Sequence, residues 1–296
     1  MQSSSKKQHY PCLISLKLNL SSFGKKYIFE EISQQMKTSL LISTYNWPEA
    51  LDLVLKSAAA QSFQPFEILI ADDGSKDETK DLIEAFKNRT TTTLKHIWHE
   101  DKGFRRSKIL NKAVAAADGD YIIQIDGDCI MHPDFVKDHI AHSARGQFLF
   151  GSRVNIQEAY LKELFKKKRI NFNFFSKGIK KRTRALRISI LADLYKTSPI
   201  LSKKLRGCNL SYWRKDFIAI NGYNENFEGW GREDSEMAIR MLNSGVLGKR
   251  LRYNGIVYHI WHLVKDQSRF EINDSLQKET QENRVKWCKK GINAYL

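Results

Sequence analysis

From Met36 onward, short apolar runs alternate with stretches whose apolar residues recur every three or four positions. "SLLIS" (39–43), "FEILIA" (66–71), "LKHIW" (94–98) and "YIIQI" (121–125) have the length of buried strands. Between them, Leu51, Val54, Leu55, Ala58 and Ala59 share one helical face, and Leu82, Ile83 and Phe86 share another. "SKILNKAVAAA" (107–117) reads as a third helix, ended by Asp118-Gly119. Asn46 is expected to cap the first helix with Pro48 in its first turn, and Ser75 with Glu78 to form a capping box on the second. Strand-helix alternation of this kind predicts an α/β fold, a Rossmann-like, mostly parallel sheet with flanking helices. In such sheets ligands bind beyond the C-terminal strand ends. Three polar clusters fall there: "STYN", "ADDGS" and "DGD".

The second half is less regular. "GCNLSYW" (207–213) reads as a strand, "GYNENFEGWGRED" as a Gly-rich aromatic loop, "EDSEMAIRMLNSG" as a helix and "RLRYNGIVYHIWH" as strand again. The expected division is an extension over 1–35, poorly ordered or additional, a first half over 36–152, a second half over 153–265 and a helical tail over 266–296. The weakly apolar "YPCLISLKLNLSSFG" is interrupted by Lys17 and reads as neither signal peptide nor anchor.

Charge changes the picture. The chain carries 49 Lys and Arg against 33 Asp and Glu, a net charge of +16. A basic insert over 158–206 holds 15 of the cations and three acids. Such an excess implies a polyanionic partner: nucleic acid, an anionic membrane surface, or a phosphate-bearing substrate. "LKELFKKKRINFNFFSKGIKKRTRALR" (161–187) has two readings. One is a solvated face covering an acceptor site. The other is a membrane-surface patch, with Phe172, Phe174 and Phe175 dipping among lipid headgroups. Four scattered cysteines, without metal-ligand spacing, fit free thiols in a cytoplasmic protein. The second reading would place it peripherally at the inner face of the cytoplasmic membrane.

The chemistry sits in the polar clusters. If the fourth strand continues through "DGD", Asp126 and Asp128 point the same way. Gly127 would leave room for a ligand. Paired carboxylates there select a hard divalent ion, Mn²⁺ or Mg²⁺, that can carry a diphosphate. Asp73 lies where a nucleotide base or ribose would, while Asp72 supports its turn. In "GWGRED", Asp234 at a helix start is held ionised by the backbone amides and can take a proton from a hydroxyl. Trp230 offers a stacking face, and Gly229 and Gly231 allow close approach of the loop. Arg105, Arg106 and Lys108 either reach the nucleotide or form a solvated basic face. His96, His99, His132, His139 and His142 read as surface or packing residues, and Cys129 as packing.

"LLISTYNWPEALDLVLKSAAAQSF", "EILIADDGSKDET" and "GDYIIQIDGDCIMHPDF" together resemble the GT-A fold of family 2 glycosyltransferases. "NGYNENFEGWGREDSEMAIRMLNSG" is similar to the GWGxED element of β-1,4-galactosyltransferases and bacterial chondroitin and hyaluronan synthase domains. The resemblance covers roughly residues 36–262, and implies that 36–152 is the nucleotide-sugar-binding half and 153–265 the acceptor-binding and catalytic-base half. It implies inverting transfer of a hexose or N-acetylhexosamine from a nucleotide-sugar donor, usually UDP-linked, to a glycan or lipid-linked acceptor. On it, Ser43 and Tyr45 would flank the uracil and Asp73 would bind uridine. Asp128 would be the direct metal ligand, with Asp126 nearer the ribose, and Asp234 would be the base. Glu233 would bind acceptor hydroxyls beside Trp230, Gly231 and Asn209. His259, in "VYHIWH", would be a metal ligand, with His262 the other candidate. "NGYNE" departs from the usual GGFDE, a change expected to touch packing more than chemistry. Two further readings remain at this level: a basic nucleic-acid-binding protein, and a GT-A domain that binds nucleotide sugar without catalysis.

Overall fold

The computed structural model describes residues 36–263 and 266–296. The expectations for 1–35, including the weakly apolar segment, lie outside the described residues. Strands β1 (Thr38–Thr44), β2 (Glu67–Asp72), β3 (Thr93–Trp98) and β4 (Tyr121–Asp126) alternate with helices α1 (Pro48–Ala59), α2 (Asp77–Lys87) and α3 (Arg106–Ala115). The four strands pair in parallel in the order β3-β2-β1-β4. Both β1 and β2 are buried along their whole length, which explains why they read as unbroken apolar runs. Successive residues serve opposite faces: Leu40 and Ile42 join a core with Leu51 and Val54 of α1, Leu41 one with Ile109 and Leu110 of α3.

The rest of the chain widens this sheet and adds a second. In order come β5 (Cys129–Met131), α4 (Phe135–His142), β6 (Gln147–Phe150), β7 (Ser152–Ile156), α5 (Leu161–Lys167) and β8 (Ile179–Lys180). Next are α6 (Ser189–Ala192), β9 (Thr197–Ser198), β10 (Asn209–Trp213), α7 (Arg214–Ala219) and α8 (Glu233–Asn243). Last come β11 (Leu247–Arg250), β12 (Ile256–His259) and α9 (Phe270–Glu282). The large sheet runs β3-β2-β1-β4-β10-β6-β11-β9, and the small one β5-β12-β7-β8. Because β10 pairs antiparallel with both β4 and β6, the second half of the chain is built into the first half's sheet.

Several local expectations change. Neither α1 nor α2 has a side-chain cap. Asn46 and Ser75 tie the two helix starts to each other instead: the Ser75 hydroxyl accepts from the Asn46 amide at 2.8 Å, and Asn46 Oδ1 accepts from the Lys76 amide at 2.9 Å. Asp72, as expected, supports its turn, accepting from the Ser75 amide at 2.8 Å. Strand β4 ends at Asp126, and Gly127-Asp128 form a turn into the second sheet. Gly127 serves backbone packing rather than a ligand, since a Cβ there would lie 2.9 Å from the Ser43 carbonyl oxygen. Phe172 is no surface anchor. It is buried, with its ring 5.1 Å from that of Tyr258 and the Arg169 guanidinium 4.7 Å over its face, while Phe175 stays exposed. Among the described residues no helix is long and apolar enough to cross a membrane.

The loop before α8 is held by one buried ion pair. Arg240 and Glu236, one turn apart, meet at 2.7 Å, and Arg240 also donates to the carbonyls of Ile220 at 2.6 Å and Gly222 at 2.7 Å. Arg240→Ala strands a buried carboxylate and two carbonyls, a loss of about 3–5 kcal/mol. Urea unfolding of the variant should show it; an unchanged midpoint would contradict the arrangement.

Candidate active site

The C-terminal ends of β1, β2 and β4 open onto a cleft of about 500 Å³. Its far wall is the loop before α8, residues 205–208 before β10, and the end of β12. It brings together Ser43, Tyr45, Asp73, Arg106, Asp126, Trp230, Gly231, Glu233, Asp234 and His259 of the expected residues, with His262 beside them.

At the β2 end, Asp73 is fixed on both oxygens. Oδ1 contacts His99 Nε2 at 2.7 Å and Oδ2 accepts from the Arg105 backbone amide at 2.9 Å. His96 braces Asp72 in the same way at 2.9 Å. These two histidines, read from sequence as packing, therefore orient the acidic turn. The Arg105 side chain turns away to the Glu100 carbonyl, so only its backbone touches the site. Tyr45 donates to Asp101 Oδ2 at 2.8 Å, and its ring stays half exposed at the rim.

Arg106 is the hub of the centre. Its guanidinium meets Asp126 at 2.7 Å, Asp234 at 2.9 Å and Glu233 at 3.4 Å. Burial alone would lower its proton affinity, but Asp234, Asp126 and Glu233 outweigh that and hold it well above its ordinary value. It thus acts as the buried countercharge for three carboxyls, which takes it out of the role of a free diphosphate clamp. Ser43 adds a hydrogen bond to Asp126 Oδ1 at 2.9 Å.

Helix α8 starts with Glu233 and Asp234. Burial first, then the charge of Asp234, push the Glu233 carboxyl up to about 7. Glu233 can therefore carry a proton near neutrality and donate to a hydroxyl oxygen. Asp234 Oδ1 also accepts from the Tyr223 hydroxyl at 3.0 Å. Tyr223 is the aromatic residue of "NGYNE", so that departure places a hydroxyl on the Asp234 carboxylate. Asp234 Oδ2 lies over Gly207, where a Cβ would be 1.9 Å away. Gly207→Ala should therefore swing the carboxyl out of place without unfolding the chain. With Asp234 as the general base that the resemblance implies, turnover should fall by about 10²-fold or more, with donor affinity retained. Wild-type turnover in steady-state assays would contradict this.

Asp126 and Asp128 diverge across their turn. Asp128 Oδ2 lies 3.6 Å from His259 Nε2 and 3.4 Å from His262 Nε2. The three ligand atoms are all within 4.8 Å of one another. Burial, more than any neighbouring charge, pulls His259 below its ordinary value and favours the neutral imidazole. His262 Nδ1 is 2.6 Å from the Leu263 carbonyl, which assigns the proton to Nδ1 and turns the Nε2 lone pair toward Asp128. A carboxylate oxygen and two imidazole lone pairs facing one another suit a divalent ion, so the residues fit the metal implied by the sequence.

On the other wall, Gly229 and Gly231 have φ of 71° and 108°, backbone that favours glycine. They present the Trp230 ring, stacked on Phe270 at 6.0 Å, to the cleft. Asn209 does not face the cleft. It is buried, donating to the Ser152 and Gly255 carbonyls at 3.2 and 2.7 Å and facing His139 Nε2 at 3.0 Å. Tyr223, Gly207, His99 and Arg153 escaped the sequence reading. Only Tyr223 carried a signal, its place in the motif before α8.

Comparison with known proteins agrees with this architecture. The hyaluronan synthase of Pasteurella multocida is 25% identical over 252 residues, spanning 76% of this chain and a quarter of that protein. Staphylococcus aureus TarS 1–349, solved in complex with UDP, superposes with a TM-score of 0.58 at 16% identity, over 88% of this chain and 68% of that one. GalNAc-T7, solved with UDP, GalNAc and Mn²⁺, superposes with a TM-score of 0.55 at 16% identity, over 77% and 44%. Both share the GT-A fold. A family model for the N-terminal domain of galactosyltransferase matches residues 191–263. The model for glycosyl transferase family 2 matches residues 39–205, more than half of the chain, and the chain belongs to that family.

Proposed function

We propose that the protein is a metal-dependent, inverting glycosyltransferase that moves a sugar from a UDP-linked donor to a hydroxyl of a glycan or lipid-linked acceptor. The observation that carries this reading is one cleft lined by His259 and His262, which form a three-residue set with Asp128, on one side and by Asp234 on the other. The UDP and Mn²⁺ bound to GalNAc-T7, which has the same fold, support the choice of donor and ion. Asp128, His259 and His262 would hold the ion; the imidazoles favour Mn²⁺ over Mg²⁺. When bound, a divalent ion neutralises the diphosphate as negative charge develops on it.

The remaining roles fall to side chains. Asp73, fixed by His99 and the Arg105 amide, accepts from the uracil or ribose, with Ser43 and Tyr45 at the nucleotide's edge. Asp126, anchored on Arg106, faces the ribose. The acceptor sugar stacks on Trp230 over Gly231, and Glu233 donates to one of its hydroxyls. Asp234 takes the proton of the attacking hydroxyl, which then displaces the diphosphate from the opposite face of the sugar carbon. Five carboxyl groups around this cleft disfavour a nucleic-acid backbone there. The reading is tested by UDP release from UDP-glucose, UDP-galactose and their N-acetylated forms, with a panel of glycan acceptors. Acceptor-stimulated release of UDP is expected with at least one donor; none with any would contradict it.

A further inference from the structure

A second cavity of about 270 Å³ adjoins the cleft and shares Arg153, Arg206 and Cys208 with it. The rest of its charged wall is Lys181, Arg184, Lys203, Lys204 and Arg250; no carboxylate lines it. Most of these cations come from the basic insert, brought together by the turn after β8 and the loop before β10. Two of them are tied to backbone, Arg184 donating to the Arg153 carbonyl at 3.0 Å and Arg206 to that of Lys203 at 3.1 Å, while Lys181, Lys203 and Lys204 are exposed at the rim. Burial, then Arg184, Arg153, Arg206 and Lys204, hold Lys181 below its ordinary value. Burial, then Arg250, Arg252, Arg153 and Arg206, do the same to Arg184. Ser152 Oγ and Arg250 Nε are buried at this wall with no hydrogen-bond partner. Crowded cations with unused donors and no acid between them form a site short of an anion.

We propose that this cavity binds a phosphate group carried by the acceptor, beside the sugar whose hydroxyl faces Asp234. Gly207, beneath Asp234, lies between the shared residues Arg206 and Cys208, so the anion site and the base are joined by one short stretch of chain. On the proposed function the donor's diphosphate would be met by the divalent ion that Asp128, His259 and His262 would hold, and Lys181, Arg184, Lys203, Lys204 and Arg250 do not line the donor cleft. Several cations around one small space favour a phosphate over a single carboxylate. This assignment rests on the glycosyltransferase reading for the word acceptor, but the anion site itself can be tested without it.

The test is isothermal titration of the metal-free protein with glucose 6-phosphate, glucuronate and glucose, with UDP and Mn²⁺ titrated separately. Glucose 6-phosphate should bind, more weakly as salt rises, and tighter than glucuronate or glucose. The triple variant Lys181→Gln, Arg184→Gln, Lys204→Gln should lose that affinity by at least about tenfold, the size of one charge-assisted hydrogen bond. Its UDP·Mn²⁺ affinity should stay at the wild-type value. Relief of like-charge crowding should leave its thermal midpoint unchanged or higher, and the exposed single variant Lys204→Gln should shift phosphate affinity in the same direction. No binding of glucose 6-phosphate, equal binding by the variants, or tighter binding of glucuronate would overturn the proposal. A parallel loss of UDP affinity would also overturn it, by assigning the cavity to the donor. Failure of UDP·Mn²⁺ to bind wild-type protein would instead sink the donor reading and leave the phosphate result standing.

Discussion

Replacing Asp234 by Asn is expected to lower turnover by about 10²–10⁴-fold, the contribution of a well-placed general base, with UDP-sugar affinity near the wild-type value. The substitution keeps the shape. An amide oxygen at Oδ1 still accepts from Tyr223 at 3.0 Å and from Arg106 at 2.9 Å, so the start of α8 has no reason to move. On the proposed mechanism, what goes is the ability to take a proton from the attacking hydroxyl. The measurement is kcat together with the donor Kd. A parallel fall in both would make Asp234 part of the donor site, and an unchanged kcat would remove it from the chemistry.

Asp128→Asn has the second large effect. It removes the single anionic donor of the three-residue set with His259 and His262. Mn²⁺ affinity should fall by more than the roughly 10–100-fold that follows loss of a residue merely supporting a ligand. UDP binding in Mn²⁺ should then drop to the level that wild-type protein shows in EDTA. Asp126→Asn should behave differently, since Asp126 faces Arg106 rather than the histidines. Equal effects of the two substitutions on Mn²⁺ affinity would contradict the divergence of the pair across the turn.

The parts legible in the sequence were those fixed by local pattern. Strands β1, β2 and β4 announced themselves because burial on both faces demands unbroken apolar runs, whereas β3, at the sheet edge, is buried only at Leu94. The start of α8 was legible because "GWGRED" combines turn glycines with acids at a helix N-terminus. What stayed hidden depends on partners far apart in the chain. Arg106 meets acids 20 and 128 residues away, and His99 meets Asp73 across 26. Asn46 and Ser75 have the chemistry of caps, yet each finds a better partner in the other's loop, 29 residues off. Asn209 looked available because its neighbours are polar, but the crossing of β7, β10 and β12 encloses its amide. In the basic insert the composition was plain, while its folding into one cationic wall was not.

Calorimetric titration of the intact protein with UDP, in Mn²⁺ and then in EDTA, tests the central claim most directly. The account predicts UDP binding that requires the divalent ion and that Asp128→Asn abolishes. UDP binding of equal strength in EDTA, or no UDP binding in either condition, would contradict it.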